Sequence, residues 1–153
     1  MTDILWRRIG ATVFLVAIAL ASTTALAADD EVDDASARVT GAVVVPAELA
    51  GFAGRTLELQ LFKIHPLLAD APAELVDTVV IGDFGHVKGE VSSKSFEIGR
   101  AARVDPELKY YLTCFILDGQ TRTHIGETPE KELCKVLTQG HPRVAEFTVR
   151  PVR

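Results

Sequence analysis

The 153-residue chain is poor in the residues that announce a chemistry. It has two cysteines, four histidines, one methionine and one tryptophan. Two cysteines are too few for a small disulfide framework. No Gly-x-Ser-x-Gly elbow, no His-Glu-x-x-His pair and no phosphate-cradling glycine loop occurs in it, so the common hydrolase and nucleotide signatures are missing. Cations are outnumbered, with 16 Lys and Arg against 21 Asp and Glu. Nucleic acid is therefore excluded as a partner, because it demands clustered Lys and Arg. The longest apolar run, Ile9 to Ala21, is short of the ~20 residues a spanning helix needs. No segment keeps a 3.6-residue period over three turns, which argues against a helical domain. What remains, 48% hydrophobic and 24% charged residues, is enough for one folded domain and too short for two.

The parts of the chain are unlike. Arg7 and Arg8 precede the apolar run, and Ala25-Leu26-Ala27 follows it. This is the layout of a secretory signal peptide over residues 1–27, with cleavage expected after Ala27. The exported chain is then periplasmic or secreted, with no stable membrane insertion. Residues 28–37 hold five acids, Asp29, Asp30, Glu31, Asp33 and Asp34. Such a run repels itself and buries little, so it reads as a flexible linker. Residues 38–153 carry 15 acids and 14 bases. The acidity belongs to the linker, and long-range steering is not a property of the domain.

From Arg38 onward the chain shows strand chemistry, short alternating runs rich in Val, Thr, Phe and Tyr. The runs are Val39 to Val45, Thr56 to Ile64, Leu75 to Ile81, Ser95 to Ile98, Lys109 to Leu117, Thr121 to Ile125, Cys134 to Leu137 and Val144 to Val149. In the second, Leu57, Leu59 and Leu61 share a face, and Phe62 and Ile64 break the alternation, which suggests a bulge. Gly82 to His86 reads as a turn. Lys109 to Leu117 is apolar on both faces and is expected at the centre of the sheet. Asp118-Gly119 predicts a tight hairpin to Thr121. Ala47 to Ala50 and Pro72 to Leu75 are the only candidates for short helical turns. The fold class is all-β, an antiparallel β-sandwich of about 7–8 short strands, with a small barrel as second choice.

The order of these features resembles the secretin-pilotin-like domains of the YbaY/YscW envelope lipoprotein family. The matching pieces are Val39-Thr40-Gly41-Ala42-Val43, Leu57-Glu58-Leu59-Gln60-Leu61, Ala69-Asp70-Ala71-Pro72-Ala73 and Phe96-Glu97-Ile98. Further on come the Val104-Asp105-Pro106 to Tyr110 spacing, Asp118-Gly119 and Val136-Leu137-Thr138. The resemblance spans most of residues 38–149. It implies a β-sandwich in the bacterial envelope that works by protein–protein contact, as pilotins do when they escort secretin subunits. The family's lipobox cysteine is absent, and the Cys134-containing insert is longer than the family's.

Few residues invite chemistry. Cys114 and Cys134 lie in the exported part, where such a pair usually bonds. The closed loop would be worth about 3 kcal/mol in the chain-entropy model. The histidines, His65, His86, His124 and His141, all fall at strand ends or in loops. A metal site would need several of them to converge, and His86, His124 and Glu127 are the candidate ligands, with Asp83 a further acid nearby. Ser92, Ser93 and Ser95 flank Lys94, but a polar hairpin offers no pocket to lower a lysine pKa. Tyr110 reads as a core tyrosine whose hydroxyl reaches a loop. The resulting expectation is a non-enzymatic module without a cofactor that binds or assists another envelope protein. The alternative is a periplasmic metal-binding protein using its loop histidines.

Overall fold

The computed structural model describes residues 35–67 and 71–152. The signal segment, most of the acidic linker and Leu68 to Asp70 of the proline loop lie outside the described residues. Eight strands form among those described: β1 (Val39–Val45), β2 (Phe52–Ile64), β3 (Glu74–His86), β4 (Ser92–Ile98), β5 (Lys109–Asp118), β6 (Thr121–Glu127), β7 (Cys134–Val136) and β8 (Val144–Pro151). They make one sheet in the order β3-β2-β5-β6-β8-β1-β4, with β7 also on β5. The domain is all-β, as expected.

One pairing departs from an antiparallel sandwich. β1 and β8 run parallel, Thr40 opposite Val144 and Val44 opposite Thr148. The first and last strands thus meet side by side, and the sheet curls into a nearly closed, barrel-like sandwich. Its open seam lies between β3 and β4. These strands are consecutive in the chain but not hydrogen-bonded as a ladder. Side chains tie the seam at both ends. The Gly99 amide donates to Asp77 Oδ2 at 2.7 Å, and His86 Nδ1 lies 2.9 Å from Ser92 Oγ.

Alternation decides what fills the interior. Leu57, Leu59 and Leu61 of β2 face Ile116, Cys114 and Leu112 of β5, and all six are buried. Val39, Val43, Phe96, Ile98 and Phe147 complete the core from the other side. Burying each large aliphatic side chain contributes about 1.5–3 kcal/mol. β5 is central as expected, with β2 along one edge and β6 and β7 along the other. Tyr110 is buried, and its hydroxyl accepts a hydrogen bond from the Asp105 amide at 3.0 Å.

The segment expected to turn at Gly82 to His86 instead continues β3. A bulge explains the difference. Between Arg55 and Leu57 of β2, the partner residues on β3 are Phe84 and Ile81, so β3 carries an extra residue there. Asp83 takes a left-handed φ of 52° at that point, which an Asp tolerates. The bulge keeps pairing alive and turns Phe84 and His86 inward. Two more register shifts fall between Phe52 and Arg55 and between Leu61 and Phe62, the latter where the broken alternation announced it. Neither short helical turn forms a helix. Pro46 to Leu49 closes as a turn with a 3.1 Å bond, and residues 71–73 lead directly into β3.

The parallel pair leaves no room for a side chain at Gly41. A Cβ there would sit 1.9 Å from the Ala145 carbonyl oxygen and 2.8 Å from the Phe96 ring. Backbone cannot yield as a flexible side chain does. Gly41→Ala is expected to destabilise the domain by at least ~2 kcal/mol. Gly82→Ala, with open space around it, should stay within about 0.5 kcal/mol. Urea unfolding of the two variants checks the contrast, and equal midpoints would refute the close-approach account.

Candidate functional site

Three places bring distinctive side chains together. At one end of the barrel, β2, β3 and β6 deliver Phe52, His86 and His124. The Phe52 ring centroid lies 5.7 Å from that of His86 and 5.3 Å from that of His124. Arg55 folds over Phe52, its guanidinium carbon 4.9 Å from the ring centroid. Arg55 NH1 reaches Thr123 Oγ1 at 3.0 Å and His124 Nδ1 at 3.3 Å. Arginine has only donors, so the Arg55 contact uses Nδ1 as an acceptor, while the Thr123 hydroxyl, which donates to the Ile116 carbonyl, also lies 3.0 Å from Nδ1. Burial pushes the His124 pKa below its ordinary 6.5, and the Arg55 charge and His86 push it further. His86 is 4% exposed, and its buried Nε2 has no hydrogen-bond partner among the described residues.

This arrangement gathers two of the three candidate metal ligands and separates the third. Glu127 lies three residues beyond His124 on β6, an odd step that turns it to the opposite face of the sheet. There its carboxylate accepts a hydrogen bond from Arg150. Among the described residues no group of three His, Cys, Asp or Glu is placed to hold a metal ion. His65 is exposed and accepts a bond from the Leu67 amide, and His141 lies at the other end of the molecule. Sequence reasoning missed Phe52 and Arg55. Their register to β3 and β6 depends on bulges that no local pattern reveals.

The second place is a break in the sheet. β6 pairs with the Phe115 to Asp118 end of β5, and β7 with its Tyr110 to Leu112 end. The two share one edge of β5, as one strand interrupted by the insert Thr128 to Leu133. β8 pairs with β6 only from Thr148 to Pro151. Its Val144 to Phe147 half has β1 on one side and no strand on the other among the described residues. A cleft of about 380 Å3 opens there, with Cys134, Lys135, Val144 and Glu146 among its lining residues.

Cys134 sits opposite Leu112, which makes Cys114 its diagonal neighbour on the inner face. Both are free and buried. Burial first, then Cys134, pushes the Cys114 thiol up to about 12. Burial first, then Glu130, pushes Cys134 up to about 11. Both are therefore thiols at neutral pH and poor nucleophiles as they stand.

The third place is the outer face of β3, β2 and β5. Phe62 is paired with Leu75 on one side and Tyr111 on the other. The Phe62 and Tyr111 rings stack at 5.3 Å and 16°. Leu75 is 50% exposed, and Leu67, just beyond β2, is 85% exposed. The sequence showed the apolar second face of Lys109 to Leu117 but predicted it covered, and here part of that face stays open beside Leu75.

No protein-family model matches the chain, and no curated protein matches it. Among solved structures, an alternative pilotin from the type II secretion system of Vibrio cholerae shares the fold. The TM-score is 0.58 at 17% identity, and the match covers 76% of this chain and 96% of the pilotin. At that identity the likeness is one of fold.

The histidine end has a consequence for stability. Unfolded His124 would regain its ordinary pKa and bind a proton that the folded ring refuses. The folded state is then fully stable above about pH 6.5 and loses stability as pH falls through that value. The melting temperature should fall between about pH 7 and about pH 5, and His124→Gln, which keeps an acceptor for Arg55, should flatten that slope. An unchanged slope in the variant would show that another group governs it.

Proposed function

We propose that this chain is an exported, non-enzymatic envelope protein that binds and assists another envelope protein, as a pilotin assists a secretin. The observation that carries the reading is the likeness of fold over nearly the whole length of the pilotin. The signal layout of residues 1–27 supports it, and the YbaY/YscW resemblance adds a secretin as the class of partner. The cleavage after Ala27 and the linker expected over residues 28–37 belong to the same proposal, except that the last three of those residues pack on the domain, with Ala37 buried and Ser36 bridged to Arg103. No helix among the described residues is long and apolar enough to cross a membrane.

The outer strip suits this role. Aromatic side chains held rigid by stacking present large apolar area at little entropic cost, which is how interfaces obtain their anchors. A partner's amphipathic helix would lay its apolar face on Phe62, Tyr111 and Leu75.

We propose also that Cys114 and Cys134 join on export. Each thiol gives up one proton and one electron to the disulfide of an oxidoreductase, which leaves as a dithiol. Diagonal neighbours stand ~7–8 Å apart, and a disulfide requires Cα atoms within ~6.8 Å. β7 must shift slightly toward β5, and its short length and single ladder permit that. Because the folded thiols are protonated and buried, the bond forms before the domain closes.

Two measurements test these readings. The double variant Phe62→Ala and Tyr111→Ala should lose about tenfold or more in secretin co-purification, with its fold intact by circular dichroism. Undiminished capture would remove the strip, and normal secretin assembly in cells lacking the chain would remove the function. For the cysteines, the chain isolated from the envelope and denatured without reductant should take up no maleimide, and two equivalents after reduction. Two equivalents before reduction would show that the thiols stay free.

A further inference from the structure

The Phe52 end of β2 is held more loosely than the rest of the strand. The β2–β5 ladder starts at Thr56 opposite Leu117, so Phe52 to Arg55 pair with β3 alone among the described strands. That ladder shifts register twice, between Phe52 and Arg55 and between Arg55 and Leu57. Gly54 lies within the first shift at a φ of 64°, a conformation glycine adopts freely. A segment with so few ladder bonds can open by itself. Side chains hold it instead. Arg55 covers the Phe52 ring and reaches Thr123 Oγ1 and His124 Nδ1. On the other side of the ring, His86 Nδ1 meets Ser92 Oγ, and the orphaned His86 Nε2 is a standing cost in a buried place.

Arg55 and a protonated His124 cannot share this place. A proton on Nδ1 would set donor against donor and cation against cation at 3.3 Å. Thr123 Oγ1 offers that proton an acceptor 3.0 Å away and can go on donating to the Ile116 carbonyl. Arg55 has another partner within reach, the Asp118 carboxylate, 72% exposed and 3.9 Å distant. The remaining titratable and charged neighbours are His86, across Phe52 on β3, and the Arg150–Glu127 pair, which lies on the opposite face of β6 and β8. β8 itself sets Pro151 opposite His124. No set of metal ligands forms around His124 among the described residues, which leaves it to the proton.

We infer that this end of the barrel is an acid-operated latch. A proton taken from solvent onto His124 displaces Arg55 from Thr123, and the freed arginine swings to Asp118 and uncovers Phe52. The Phe52 end of β2 then hinges away from β3 about Gly54, and the Phe52 and Phe84 rings become an apolar surface present only in acid. Leu57 to Leu61, paired along both edges, stay in place, so the change is local and not a general loss of stability. The direction follows from the ring. Burial, then Arg55, sets folded His124 below its ordinary 6.5. The latch is therefore shut above that value and opens as pH falls through it.

Amide exchange followed by mass spectrometry on the exported chain tests the latch. From about pH 7.5 to about pH 5, protection at residues 52–55 and 84–86, corrected for the intrinsic rate, should fall about tenfold. Residues 57–61 and 112–117 should keep theirs. His124→Gln, which retains an acceptor for Arg55, should hold the end protected at both pH values. Arg55→Ala should leave it unprotected at both, with protection over residues 57–61 showing that the barrel stays folded. Loss at residues 57–61 in step with 52–55 would make the transition global and overturn the latch. Unchanged protection in the parent, an equal loss in His124→Gln, or full protection in Arg55→Ala overturns it as well.

Discussion

The parallel contact of β1 with β8 holds the molecule together. Among the described strands it is the only ladder between the β4-β1 pair and the β3-β2-β5-β6-β8 run. Without it there would be two sheets with two half-covered faces. With it, one sheet encloses one core. The contact joins strands about a hundred residues apart in the chain, so its closure entropy must be met late in folding. It also brings the backbones close together at Gly41 and Ala145, where a Cβ would not fit. The Phe96 ring covers the missing side chain and packs on toward Phe147, their centroids 6.3 Å apart. A glycine that would weaken an ordinary strand is here what lets the two strands lie side by side.

Closure at β1 and β8 displaces the open edges elsewhere. β3 and β4 follow each other in sequence and would form a hairpin in a simpler sandwich. Here they stand at the two ends of the sheet, tied by side-chain bonds of Asp77 and Ser92. Bulges on β2 and β3 increase local twist, and they set Phe52, Phe84 and His86 as a lid of rings over the barrel end. The Phe52 and Phe84 centroids are 5.9 Å apart. The histidines have a structural place in this lid. Arg55 caps it from outside, bonded to Thr123 and His124, with Asp118 at 3.9 Å. Burial, then the Arg55 charge, lowers the His124 pKa and so favours the neutral ring in this lid.

Much of this was legible because a strand writes its two faces in alternate residues. β1, β5, β6 and β8 show it, and their bounds follow the runs of Val, Ile, Phe and Thr. Tyr110 was legible through its spacing to the Val104-Asp105-Pro106 turn. The far half of β3 was not, because Gly82 and Asp83 carry the same residues whether the chain reverses or bulges. The parallel pairing was not legible either, since alternation records burial and is silent on which strand lies alongside. The meeting of His86 with His124 depends on that same tertiary register, and so does the separation of Glu127 from both. The break between β6 and β7 left only a faint trace, a polar stretch between two apolar runs, which ordinary loops also leave.

Domain charge then limits how such a molecule can recognise anything. With acids and bases almost balanced over residues 38–153, the domain has little field to draw a partner from a distance, and salt would screen what there is within ~10 Å. An exposed apolar surface such as the outer strip acts at contact instead. Its Tyr111 opposes Phe62 on β2 and Lys135 on β7, so the strip is anchored on the strand at the middle of the sheet. β5 is buried along its inner face and cannot shift without disturbing the core. The strand that organises the barrel therefore also holds the Phe62 and Tyr111 rings in a fixed place on its outer face.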